Sequence, residues 1–157
     1  MKAIILSGDY IEDYELFAPI KLPEMLDIDV HVVCPRTHSE NIGHPFELSQ
    51  MYADIKLDEY AGLVVPGGRY PKYQRYDQRV LDIILAAAGV LKGRSCSAVH
   101  ISKLEVLAGG GTYVDFDMLS KNVYVDGNLV SAPAYPVIGV WMREFIKLLG
   151  VKVQFSS

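Results

Sequence analysis

Ala3-Ile4-Ile5-Leu6 is a continuous apolar run closed by Ser7-Gly8-Asp9, the pattern of a strand buried on both faces. Two runs of the same kind follow. Val30 to Val33 is stopped by Cys34-Pro35, and Gly62-Leu63-Val64-Val65 is stopped by Pro66-Gly67-Gly68. Between the first two, Leu16, Phe17, Ile20 and Leu22 lie at helical spacing within Tyr14 to Met25. Pro19 and Pro23 interrupt that segment, which predicts a kinked or shortened helix. Arg36 to Gly43 is polar and reads as loop, and Pro45 to Asp54 as irregular strand pairing.

Further along, Val80 to Leu91 reads as an apolar-rich helix, Ser95 to Val99 as a strand and Ser102 to Leu107 as a short helix. Tyr113 to Phe116 and Asn122 to Val125 read as strands, and Asp126-Gly127 as a two-residue hairpin turn into Leu129 to Ala132. Val137 to Leu149 is amphipathic, with Val140, Trp141, Phe145, Leu148 and Leu149 marking the expected inner face and Gly150 fitting the C-cap. Alternation of strands and helices through the first two thirds predicts an α/β class with a mostly parallel sheet. No linker, repeat or low-complexity stretch divides residues 1–157, so a single domain is expected.

Composition narrows the function classes. The 157 residues suit one domain with a sizeable core. Net charge is -4 and Lys and Arg are scattered, which gives no reason to expect nucleic acid. Apolar stretches such as Ile83 to Ala88 are too short to span a bilayer, and Met1-Lys2 leads into a strand, not a signal peptide. Cysteine occurs twice, at Cys34 and Cys96, without paired spacing. That pattern predicts a reducing, cytoplasmic setting and no disulfide framework.

In open α/β sheets ligands gather at the carboxyl ends of strands, where loops and helix N-termini present backbone N–H groups. Two such ends stand out, the acid-rich Ser7 to Glu15 and the turn Pro66-Gly67-Gly68-Arg69. GDYIEDYE after the first strand, then HVVCP, GHPFEL, YAGLVVPGGR, LAAAGVLKGR, VDGNLVSA and WMREFIKLLG, together resemble the DJ-1/PfpI family of the class I glutamine amidotransferase-like superfamily. The resemblance runs in family order over nearly the whole chain and looks closest to the branch with plant DJ-1-like glyoxalases. It implies a flavodoxin-like α/β sandwich, usually a homodimer or a higher assembly of dimers. The implied activities are glutathione-independent glyoxalase (glyoxalase III), protein deglycase, intracellular peptidase or chaperone, with no cofactor. Small carbonyl compounds are the implied substrates.

The family site holds a Cys on a strained strand-to-helix turn followed by His, as A-x-I-C-H-G. Carried over by resemblance, Glu15 matches the acid that hydrogen-bonds this Cys, and Gly68 the second glycine of PGG, whose N–H faces an oxyanion. Both roles are chemically sensible. A carboxyl near a thiol can be raised and share a proton, and a glycine lets backbone approach a ligand closely.

The nucleophile elbow itself is missing. Val80-Leu81-Asp82-Ile83 runs directly into Ile84-Leu85-Ala86, and roughly twenty residues of the family pattern have no counterpart. No C-H-G or G-x-S-x-G occurs anywhere. Lys72 also stands where the catalytic branch often has the Glu that approaches the histidine. A natural deletion, an engineered one and an omission from the sequence as written all fit. The sheet is therefore expected to lack or rearrange one central strand, with Asp77 to Gly93 able to form one helix. The expected product is a family member without the family's cysteine chemistry. It would keep a Glu15/Gly68 pocket for a small carbonyl compound or small anion, or for assembly.

Other residues carry blander expectations. Cys96 is expected to pack inside its strand, about 13 Å from His100 along an extended chain. His100 falls to a surface loop by default, just beyond Val99, which matches a pocket-lining family position. His31, Cys34, His38 and His44 fit no metal spacing. Asp9, Glu12 and Asp13 read as capping and first-turn acids, and Tyr70, Tyr73 and Tyr76 as interface or surface aromatics.

Overall fold

The computed structural model describes residues 1–8, 11–34, 49–67, 89–115 and 122–153. Expectations for Asp9, the 36–43 loop, Gly68, Lys72, the three tyrosines and the fused 77–93 helix up to residue 88 lie outside the described residues. The chain divides into two compact units, Met1–Ala88 and Gly89–Ser157.

In the first unit, β1 (Lys2–Leu6) is the hub of an all-parallel sheet of order β3-β2-β1-β4, with β2 at Asp29–Cys34, β3 at Gln50–Met51 and β4 at Gly62–Val64. Ile4 lies opposite His31 on one side and Leu63 on the other. Residues Ala3 to Leu6 are buried without alternation, as expected of a parallel strand covered on both faces. Ile4, Leu6, Val33 and Tyr52 form a core cluster against which Ile55, Leu57, Tyr60 and Leu63 pack. The Tyr52 hydroxyl donates to the carbonyl of Ser7 at 3.1 Å, so a buried phenol finds its partner at the carboxyl end of β1.

Helix α1 (Asp13–Glu24) corrects the expectation of a shortened helix, since it runs through both prolines. Leu16, Pro19, Ile20 and Pro23 are its buried residues, so the two rings sit on the inner stripe at helical spacing. Each proline removes one backbone donor, and burial of the rings in that stripe offsets the loss. Phe17, counted as apolar in the sequence pattern, faces outward and is half exposed. The helix ends at Glu24, and Asp27, in the turn that follows, takes a left-handed φ of 56°.

In the second unit, β5 (Ser95–Ser97) pairs in parallel with β6 (Thr112–Val114), joined through α2 (Lys103–Ala108). β7 (Tyr124–Asp126) and β8 (Leu129–Ser131) form an antiparallel hairpin. Its two loop residues are Gly127 and Asn128, one position later than expected, and Gly127 takes the positive φ of 59° that such a turn needs first. The hairpin meets β5 through side chains: Ser95 N–H donates to Asp126 at 2.7 Å and Ser97 N–H to the Ser131 hydroxyl at 3.0 Å. Helix α3 (Ile138–Leu148) buries Met142 and Phe145, while Leu148, expected inside, is partly exposed. Trp141 stacks on Phe145 and donates its indole N–H to Val130 at 3.0 Å. Gly150, with a φ of 80°, closes the helix as expected, its N–H reaching Lys147 and that of Val151 reaching Ile146.

The class is α/β with a parallel sheet. Among the described residues β4 is paired with β1 alone, and β5 and β6 stand in a separate two-stranded sheet. No described helix is long and apolar enough to cross a membrane.

Candidate functional site

The site follows from the pairing of β1 with β4. Two parallel neighbours end on the same side, so the chain leaving β4 at Val65-Pro66-Gly67 lies beside the chain leaving β1 for α1. Glu12 is the N-cap residue of α1 but makes no side-chain cap bond, contrary to its expected capping role. Its carbonyl instead accepts from Glu15 N–H at 2.9 Å and Leu16 N–H at 3.2 Å. Asp13 and Glu15 occupy the first turn, where carboxylates complement the helix dipole.

Glu15 points toward the glycine turn. Its Oε2 accepts a hydrogen bond from the backbone N–H of Gly67, 52 residues away. A Cβ on Gly67 would lie 3.2 Å from the carboxyl carbon of Glu15 and 3.3 Å from Oε1, so the whole carboxyl group is seated against this glycine. Burial raises the Glu15 carboxyl above its ordinary value, the Gly67 N–H opposes the rise, and the nearby Glu12 charge adds to it. The sequence pointed to Glu15 and to the second glycine of the turn. The first glycine was missed as the partner of Glu15, because two adjacent glycines carry no signal of which N–H faces inward.

A carboxyl raised on folding keeps its proton to higher pH in the folded chain than in the unfolded one. The stability it contributes is present at low pH and is lost as pH rises from the unfolded carboxylate range through the raised folded value. Glu15→Gln keeps the acceptor oxygen and removes the titration. The difference in unfolding free energy, wild type minus variant, should therefore fall with pH and then level off. Urea unfolding between about pH 4 and pH 8 measures it, and a flat or rising difference contradicts the assignment.

The two cysteines are buried. Cys34 ends β2, and Cys96 lies within β5 as expected, with its thiol pushed up by burial against an opposing hydrogen bond from Ser131. The Cys96 thiol contacts the carbonyl of Ser97 at 3.5 Å, and His100 is exposed in the turn 100–102. Among the described residues no three His, Cys, Asp or Glu side chains converge as a metal site. His31 instead joins Tyr60, with Nδ1 2.7 Å from the phenol oxygen, and Asp29, with Nε2 3.2 Å from a carboxylate oxygen. That cluster had no signature in the sequence.

An open parallel α/β sheet with an acid and a glycine turn at adjoining strand ends defines the class. The DJ-1/PfpI family model matches residues 1–84. DJ-1 homolog D of Arabidopsis thaliana is 35% identical over 191 residues, covering 98% of this chain and 49% of that protein. A deglycase of Pyrococcus abyssi is 30% identical over 173 residues, covering 95% of this chain and 99% of the relative. Drosophila melanogaster DJ-1beta superposes with a TM-score of 0.74 at 19% identity, over 96% of this chain and 91% of its own. The chain belongs to the DJ-1/PfpI family, and it spans about half the length of the Arabidopsis relative.

The matches with these relatives are also longer than the matched part of this chain. The family-model match stops at residue 84, one position past Ile83. The Arabidopsis match runs over 191 residues, whereas 98% of this chain is about 154, so about 37 matched positions have no residue here. For the Pyrococcus relative the corresponding shortfall, 173 against about 149, is about 24.

Proposed function

We propose that this chain keeps the glycine turn and partner acid of the DJ-1/PfpI fold as a small-molecule site and has lost the family's cysteine chemistry. The observation that carries the proposal is the end of the family match at residue 84, where Ile83 runs into Ile84 in place of a Cys-His turn. Neither remaining cysteine offers a substitute: both are buried, and burial raises the Cys96 thiol further, which makes it a poor nucleophile near neutral pH. Lys72 in place of the histidine-facing Glu argues the same way. The retained Glu15 and Gly67-Gly68 turn would hold a small carbonyl compound or small anion. Assembly into a homodimer or higher homo-oligomer belongs to the same reading, with exposed Tyr14, Phe17 and Met25 on and just after α1 supplying apolar surface.

The second reading, a glyoxalase or deglycase, draws on the deglycase name of a relative matched over nearly its full length. Methylglyoxal consumption separates the two. The purified 17.5 kDa chain is expected to consume no more than a protein-free control with matched arginine and lysine. Consumption that iodoacetamide abolishes would establish the enzyme reading and overturn the first.

A further inference from the structure

We infer that Tyr52 is a positioning residue of the candidate site: its hydroxyl stands in for a ladder donor missing at the end of β2 and fixes the carboxyl end of β1, from which the chain leaves for the acid-bearing turn. The inference rests on the proposed function only in taking Glu15 and the glycine turn as the site.

The missing donor follows from register and sequence together. Asp29 N–H donates to the carbonyl of Met1 at 2.9 Å, and Ser7 N–H to the carbonyl of Val33 at 2.7 Å. In a parallel pair such bonds recur at every second residue, and a residue meets the same neighbour through both its N–H and its C=O. By steps of two along both strands from Asp29 and Met1, the N–H for the Ser7 carbonyl falls at residue 35, which is proline. Proline has no N–H to give. Ser7 is fully buried, so its carbonyl needs a donor all the same. The Tyr52 hydroxyl supplies one at 3.1 Å, from 45 residues further along the chain. The Tyr52 ring is itself buried with Ile4, Leu6 and Val33, which leaves its hydroxyl little freedom. A donor held this firmly sets the direction in which the chain leaves β1. On the far side of residues 9 and 10, Ile11 is buried and Glu12 opens α1, whose first turn brings Glu15 to Gly67. Leu16 is fully buried on the helix, so loss of the Tyr52 hydroxyl slackens the turn without releasing α1.

Tyr52→Phe keeps the ring and removes only the hydroxyl. The carboxyl carbon resonance of Glu15, followed against pH in wild type and variant, reads the effect. Burial is the largest influence on this carboxyl, ahead of the opposing Gly67 N–H. Water admitted to a slackened turn is therefore expected to bring the Glu15 midpoint down toward the ordinary carboxylate range, and the Gly67 amide proton to move upfield as its bond weakens. The amide resonances of Ala3 and Ile5, inside β1, are expected to stay in place. Tyr60→Phe removes a second phenol packed on the same cluster and is expected to leave the Glu15 titration unchanged. An unchanged midpoint in Tyr52→Phe overturns the inference. So does an equal change in Tyr60→Phe, or a disturbance spread evenly along β1, which a merely structural role would produce. Methylglyoxal consumption decides the proposed loss of chemistry and is not read here, so either conclusion can fail alone.

Discussion

Leu16→Ala is expected to cost about 3–4 kcal/mol of stability, the largest loss among the substitutions considered for the amino-terminal unit. Leu16 is fully buried on α1, and its neighbours on the same stripe are Pro19, Ile20 and Pro23. Two of these are rigid rings that cannot move into the space left behind, so the cavity persists and the cost falls in the upper part of the usual range. Phe17→Ala, one residue further along and half exposed, is expected to cost less than about 1 kcal/mol. Urea unfolding followed through the amide signals of β1 and β4 measures both. Similar losses at the two positions would contradict the assignment of the inner stripe. A functional consequence travels with the structural one: Leu16 anchors the turn that carries Glu15, so its truncation should also move the Gly67 amide resonance.

Gly67→Ala is expected to cost about 1–3 kcal/mol, for a different reason. Backbone strain does not enter, because Gly67 is not among the glycines with positive φ. The new methyl group meets the Glu15 carboxyl, which can swing away only by giving up the Gly67 N–H. A half-buried donor and a half-buried acid then each lose a partner. In a Glu15→Ala background the three atoms nearest that methyl group are gone, so the same substitution should cost less, under about 0.5 kcal/mol. The double-mutant cycle therefore has a coupling energy of at least about 0.5 kcal/mol. A cost of Gly67→Ala that is unchanged by Glu15→Ala would show that the glycine is required for some other contact.

Much of the fold was legible because it is local. A run such as Ala3 to Leu6 can only be a strand covered on both faces, and it is one. The amphipathic period before Gly150 marks a helix and its end, and both are found. The family model matches residues 1–84, a stretch that contains the two strand ends singled out in the sequence. Local rules misled where two of them competed. Pro19 and Pro23 lack backbone donors and argued for a kinked or shortened α1, yet their spacing puts both rings on the buried stripe, and the helix runs through them. The Asp126-Gly127 dipeptide resembled a hairpin turn, but pairing of Asp126 with Leu129 moves the turn to Gly127-Asn128.

By itself the sequence determined the α/β class, the parallel character of the sheet, the family and the absence of a Cys-His turn. Each of these is written in side-chain period or in residue identity. Only the tertiary structure decided that Gly67 meets Glu15, and that His31 meets Tyr60. Such contacts join segments 52 and 29 residues apart, and they depend on the register of β1 with β4 and β2. That register is settled by the collective packing of Ile4, Leu6, Val33 and Tyr52, and no short stretch of sequence encodes it.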